Sequence, residues 1–345
     1  NQSEDVRQVV STADTVTVTY ENSQQANGIK DFKVVETYAL ASDGLSWSIT
    51  VTNTSGQSLQ LGDFGLPLPF NEFWFGGDFI YETRTLYHSF VGQNSSFIHV
   101  GRPSGIGDSL LLVPEPSTGA GFEYMDSWID QEHPGSAWAA NGGNPAWPNG
   151  LDVFYIHSDV IKSTQRGYLP NTSLTLAAGQ SKTYTFRFLR VKSDEDRKDK
   201  LAEAGLIDVT ALPGMMFATD MTAKFDLHTD KPIVSVVPQY PEETTVTPLT
   251  SPAGHHLYEL HLSHLGPNLL TVTYGAGELT TLQFYALEPL ETALQRHATF
   301  MVDKTQWTDP NVDQYGIFDD WMMATKSKRG NFSGGWGWGD DWGWT

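Results

Sequence analysis

The chain contains no cysteine. That removes structural disulfides, thiolate nucleophiles and cysteine-ligated zinc at once. No uninterrupted apolar run reaches the roughly 18–20 residues that a membrane-spanning helix needs. Basic residues are scarce: 21 Lys and Arg stand against 41 Asp and Glu, a formal net charge of −20 at pH 7. Phosphate backbones and anionic lipid surfaces are gripped through Lys and Arg, so neither a nucleic acid nor a membrane is an expected partner. The patterns G-x-S-x-G and H-E-x-x-H and the P-loop are also missing; "GNFSGG" has the wrong spacing for a nucleophile elbow. The glycines of "GWGWGD" lack the strand–turn–helix context of a dinucleotide site. No cofactor is expected. No metal is expected either: His255, His256, His261 and His264 cluster in one stretch, but on a strand His261 shares a face with Glu259 while His264 points away.

What is present suits a soluble protein of two or three domains: 345 residues, 39% apolar and only 18% charged. N-x-[ST] sequons occur at Asn1, Asn53, Asn94, Asn171 and Asn331, where roughly two would arise by chance. The chain starts on Asn and carries no signal h-region, as a processed secretory protein would. These features, with the acidic balance, predict a secreted, extracellular glycoprotein.

From residue 14 to about 190 the pattern is strand after strand. "TVTVTY" (Thr15–Tyr20) alternates, and Trp47, Ile49 and Val51 fall every second residue opposite Ser48, Thr50 and Thr52. "LTLAAGQSKTYTFRFLRV" repeats the device around an Ala-Gly-Gln-Ser turn. This predicts a large β-sandwich over residues 1–191. Two stretches without period interrupt it: the aromatic, Gly-rich Phe70–Phe79, and Met125–Gly150, which carries Trp128, Trp138 and Trp147. Long irregular loops are more often functional than idle. The charged "KSDEDRKDKLAEAGL" predicts a short helix within a linker over 192–224. A small immunoglobulin-like β unit is expected over 225–286. Then the period changes: Leu290, Leu294, Ala298 and Met301 form one apolar stripe on a helix that starts after Pro289 and runs to about Thr305.

The final stretch, "GGWGWGDDWGWT", packs Trp336, Trp338, Trp342 and Trp344 around Asp340 and Asp341; Asp319, Asp320 and Trp321 lie shortly before it. A lone helix cannot bury its stripe and five indoles, so residues 287–345 are expected to open a helical catalytic domain completed by the rest of the polypeptide or by a second chain.

"FRFLRV", "PNLLTVTYGAG", "RHATFMVDKTQW", "YGIFDDWMM" and "GGWGWGDDWGWT" resemble successive landmarks of large secreted fungal and bacterial proteins of largely unassigned function. These are similar in layout to glycoside hydrolases with an N-terminal, galactose-mutarotase-like β-supersandwich and a C-terminal (α/α)6 toroid. The resemblance implies an acidic pair in an aromatic-lined cleft of the toroid, acting on an oligo- or polysaccharide. Glycoside hydrolysis needs one protonated and one ionised carboxyl group on either side of the bond. Desolvation against indoles raises a carboxyl pKa, and aromatic faces stack on sugar rings. Asp340, Asp341, Asp319 and Asp320 are therefore the candidate acids. Trp336, Trp338, Trp342 and Trp321, with Trp128, Trp138 and His133 of the long loop, are the candidate sugar contacts. Three other readings stay open: the acids cap backbone amides at a Gly-rich turn, the protein binds glycans without cleaving them, or it is a polysaccharide lyase with a Tyr or His base.

Overall fold

The computed structural model describes residues 7–21, 31–68, 70, 85–128, 151–164, 169–323 and 325–328. These are mainly β, with two α-helices, Asp194–Glu203 and Leu290–Phe300. The main sheet of the first unit has eight antiparallel strands, ordered in space Arg7–Ser11, Thr15–Tyr20, Phe32–Ala41, Gly44–Asn53, Ser181–Val191, Ser109–Pro114, Phe97–Gly101 and Leu86–Phe90. A three-stranded sheet, Tyr124–Trp128, Leu151–Ser158 and Asp63–Pro67, packs against its inner face.

The alternation in the sequence explains which face is inner. Trp47, Ile49 and Val51 are buried while Ser46, Ser48 and Thr50 are less so. Register places Tyr184 opposite Ile49 and Phe186 opposite Trp47, so aromatic rings line up across strands. Phe122 stacks on Phe186 with centroids 5.3 Å apart, and Trp47 lies 5.6 Å from Phe186. Each fully buried ring of this kind contributes about 1.5–3 kcal/mol of transfer free energy. The outer face is covered in part by the helix Asp194–Glu203, through Leu201, Ala204 and Leu206 on Leu111, Val113, Leu189 and Val191.

The second unit is two four-stranded sheets around a separate core of Phe225, Leu260, Val272, Leu282 and Phe284. Its expected strands form, including the Gly266–Tyr274 and Glu278–Leu287 hairpin. It begins earlier than the sequence suggests. Within 192–224, read as linker, Asp208–Leu212 pairs with Ala223–His228, and Met216–Ala218 runs parallel to Glu278–Leu287. Both strands are five residues or fewer, too short to show a period against the charged helix before them.

The two units meet through a buried polar seam. Ser95, fully buried, accepts from the Ile207 amide at 2.8 Å and donates to the Ile207 carbonyl at 3.3 Å. The Leu279 amide donates to Asn94 Oδ1 at 2.9 Å. Gly92 sits where a Cβ would lie 2.3 Å from the Phe90 ring and 2.7 Å from Thr280 Oγ1, so only glycine lets the surfaces approach.

After Pro289 the helix Leu290–Phe300 continues as a π-helical turn, Met301–Thr305. The apolar stripe forms, but Leu290 and Leu294 remain 70% and 58% exposed. A two-stranded hairpin, Trp321–Met322 with Ser327–Lys328, follows. The expected toroid is not present among the described residues.

Candidate functional site

Of the candidate acids, Asp319 and Asp320 are described; Asp340 and Asp341 lie outside the described residues, as do Trp336, Trp338, Trp342, Trp138 and His133. Trp128 ends the strand Tyr124–Trp128, where only its backbone is described. Met125–Trp128, read as the start of a long loop, is thus paired strand: Met125 lies opposite Phe154 and Trp128 opposite Leu151. The rest of that loop, 129–150, is outside the described residues, as is most of Phe70–Phe79.

The segment after the π-turn brings an acid and two indoles close together. Asp319 Oδ2 accepts from Trp307 Nε1 at 3.0 Å, and Asp319 Oδ1 accepts from the Asp320 amide at 2.9 Å. The Asp319 amide donates to the Thr305 carbonyl, closing the intervening loop. The Lys328 ammonium donates to the Gln306 carbonyl and lies 4.7 Å over the Trp307 ring. Trp321 meets Phe300 edge-on, with centroids 5.2 Å apart. In this arrangement Asp319 holds the loop by accepting from an indole and a backbone amide, while the half-buried Trp321 packs on the helix end at Phe300.

A second polar cluster, invisible in the sequence, runs from the buried Tyr184, Glu123 and Ser158 of the sandwich to the exposed Thr172. The pairing of Leu151–Ser158 with Asp63–Pro67 shifts register between Tyr155 and His157. Such a bulge re-aims a side chain. Ile156 joins the core, and His157 also turns inward, edge-on to Tyr184. His157 Nε2 lies 2.6 Å from the Tyr184 hydroxyl, and Nδ1 lies 2.7 Å from Thr172 Oγ1. Thr172 Oγ1 donates to Glu123 Oε2 at 2.7 Å, while Ser158 Oγ donates to Oε1 at 2.6 Å and the Thr172 amide at 2.8 Å.

The proton positions follow. Thr172 gives its hydrogen to the carboxylate, so it accepts from His157 Nδ1–H, and Nε2 accepts from Tyr184. The chain of donors therefore runs Tyr184 to His157 to Thr172 to Glu123. Burial lowers the His157 pKa, which keeps the imidazole neutral; burial and the Glu123 charge push Tyr184 up to about 12. A tyrosine so shifted, 1% exposed, keeps its proton and is no base. This chain orients a buried carboxylate. Nothing in "GFEYM" or "VFYIHSD" marks it, because a bulge has no signature in alternation.

The sequons separate by burial. Asn53 is fully buried, and its Nδ2 donates to the carbonyls of Gln57, Leu176 and Ala177 at 2.7–3.1 Å. No glycan fits on that nitrogen, which corrects the expectation for Asn53. Asn94 is half-buried at the seam, and Asn171 is exposed. Asn1 and Asn331 lie outside the described residues. Among the described residues, no group of three or more His, Asp or Glu is placed to hold a metal ion.

No curated protein matches the chain in sequence. Among solved structures, a polysaccharide lyase superposes on 90% of this chain with a TM-score of 0.66 at 14% identity. The match covers 41% of that lyase, so this chain spans less than half its length. Galactose mutarotase-like proteins from Lactobacillus casei and Clostridium acetobutylicum each match 53% of this chain and cover 72% and 66% of their own. Their TM-scores are 0.29 and 0.31, at 16% and 10% identity. A sequence match to the family of unknown function DUF5695 extends over residues 1–320, and the chain belongs to that family.

Proposed function

We propose that this chain is the β-rich, N-terminal portion of a secreted carbohydrate-active enzyme that cleaves a polysaccharide. The observation that carries this reading is the superposition on a polysaccharide lyase over 90% of the chain. The first unit is read as a galactose-mutarotase-like supersandwich, with a helical toroid following the helix Leu290–Phe300. The exposed stripe of that helix supports a helical neighbour, since an amphipathic helix normally packs its apolar face.

Two reactions fit, each on its own observation. Hydrolysis is supported by the acid–indole run, where Asp340 or Asp341 would supply one carboxyl group and Asp319 or Asp320 the opposed one, flanked by Trp321, Trp336, Trp338 and Trp342. Elimination is supported by the lyase match. Its base would be a residue other than Tyr184, whose proton is held by burial. A Tyr or His poised near the uronate α-proton is what that chemistry needs.

The test is the full-length protein incubated with neutral and uronate-containing polysaccharides. Saturated reducing ends, lost in an Asp340→Asn or Asp341→Asn variant, are the expected result for hydrolysis. Ultraviolet-absorbing unsaturated ends identify elimination. Binding without any new ends removes the enzymatic reading and leaves a glycan-binding protein.

A further inference from the structure

A cleft of about 450 Å³ opens where the two units meet, on the outer face of the eight-stranded sheet and away from the Asp319 cluster. Its volume is within the roughly 300–1,000 Å³ of small-molecule sites, and domain seams are where such sites collect. The first unit supplies two cross-strand ring pairs, Phe90 opposite Phe97 and His88 opposite His99. The phenyl centroids are 6.1 Å apart, and the Arg197 guanidinium lies 5.7 Å from the Phe97 centroid, so one Phe97 face is already covered. The second unit supplies the apolar side chains of Val209 and Met215.

The polar groups are few, and the cation among them, Arg197, is fully engaged by two carboxylates, which leaves the set net negative. Arg197 donates to Asp194 Oδ1 and to Asp208 Oδ1, each at 2.9 Å. Among the described residues it is the only Lys or Arg lining the cleft. An anionic ligand would therefore meet two carboxylates and no unpaired cation. His99 Nε2 and Ser109 Oγ share a hydrogen bond at 2.7 Å, and Ser109 Oγ also lies 3.3 Å from the Val191 carbonyl, so Nε2 is engaged on the sheet. Burial lowers the His99 pKa, so that ring is neutral at neutral pH. His88 is exposed, and its imidazole makes no hydrogen bond among the described residues.

Aromatic faces beside neutral donors and acceptors, with no net positive charge, match a pyranose: apolar C–H faces to stack, hydroxyls to bond and no charge to balance. We infer that this seam cleft is a binding site for neutral pyranosyl units, distinct from the acid–indole run. The choice of a sugar rests on the proposed carbohydrate function; the exclusion of acidic sugars rests on the cleft alone. A bound glycan would touch both units and hold the seam closed.

Titration calorimetry of the full-length protein with neutral gluco-, manno- and galacto-oligosaccharides, and with oligogalacturonate, tests this. At least one neutral oligosaccharide is expected to bind, and oligogalacturonate to bind more weakly. Met215→Trp, which fills the cleft, should abolish that binding. His88→Ala, at an exposed position, should weaken it by about fivefold, the loss of one hydrogen bond. Unfolding midpoints of both variants establish that they fold, and cleavage of a short soluble substrate should be unchanged. Binding that survives Met215→Trp in a folded variant overturns the inference, as does tighter binding of oligogalacturonate. A protein that cleaves no glycan yet binds in a Met215-dependent way sinks the enzymatic reading and keeps this one.

Discussion

Asn53 shows how one side chain can carry two incompatible readings. As a sequon it promises a glycan; in the fold its amide satisfies three carbonyls at the turn joining two strand pairs. Asn53→Ala should cost about 1–3 kcal/mol, since buried acceptors are left unmade. Urea unfolding measures this, and glycopeptide mapping of secreted protein should find Asn53 bare and Asn171 the accessible position. His157 carries a pH signature. Its folded pKa lies below the ordinary 6.5, chiefly from desolvation. The unfolded chain therefore takes up the proton first. The stability held by the neutral ring is complete above about pH 6.5 and is lost as pH falls through the lower folded value. His99 acts in the same direction. Unfolding midpoints should drop between neutral pH and about pH 5. His157→Gln should be less stable at neutral pH but lose less on acidification.

The helix Asp194–Glu203 illustrates an element that local chemistry specifies. Ser193 Oγ accepts from the Asp196 amide at 3.1 Å, and the Asp196 carboxylate accepts from the Lys192 amide at 2.7 Å. The first bond satisfies a donor that a helix start leaves open, and the second anchors the residue before the cap. Ser193→Ala should destabilise by about 0.5–2 kcal/mol in chemical denaturation. The helix Leu290–Phe300 is the opposite case. Its stripe is legible, yet no described strand covers it. Leu294→Gln should change the stability of this chain by less than about 0.5 kcal/mol, as at other exposed positions. A larger loss in the full-length protein would mean that another segment covers the stripe there.

Over the whole molecule, two cores are joined by a contact that combines the Phe90 ring, packed on the second core, with buried polar groups. Ser95 makes both hydrogen bonds to Ile207 from a fully buried position. Ser95→Ala leaves that amide and carbonyl unmatched, a loss of about 1–3 kcal/mol at the contact. Calorimetry should then resolve two unfolding transitions where the wild type shows them merged.

Alternation and turn chemistry were enough to establish a mainly β chain, the inner face carrying Trp47 and Ile49, a short helix in the charged stretch after Val191 and the stripe after Pro289, because each depends on neighbours in sequence. The early strands Asp208–Leu212 and Met216–Ala218, the inward turn of His157, the burial of Asn53 and the cleft at the seam depend on partners far along the chain. A two-fold period says which residues share a face. Only the pairing of distant strands decides what that face packs against, where a bulge redirects a ring, and which polar groups end up buried.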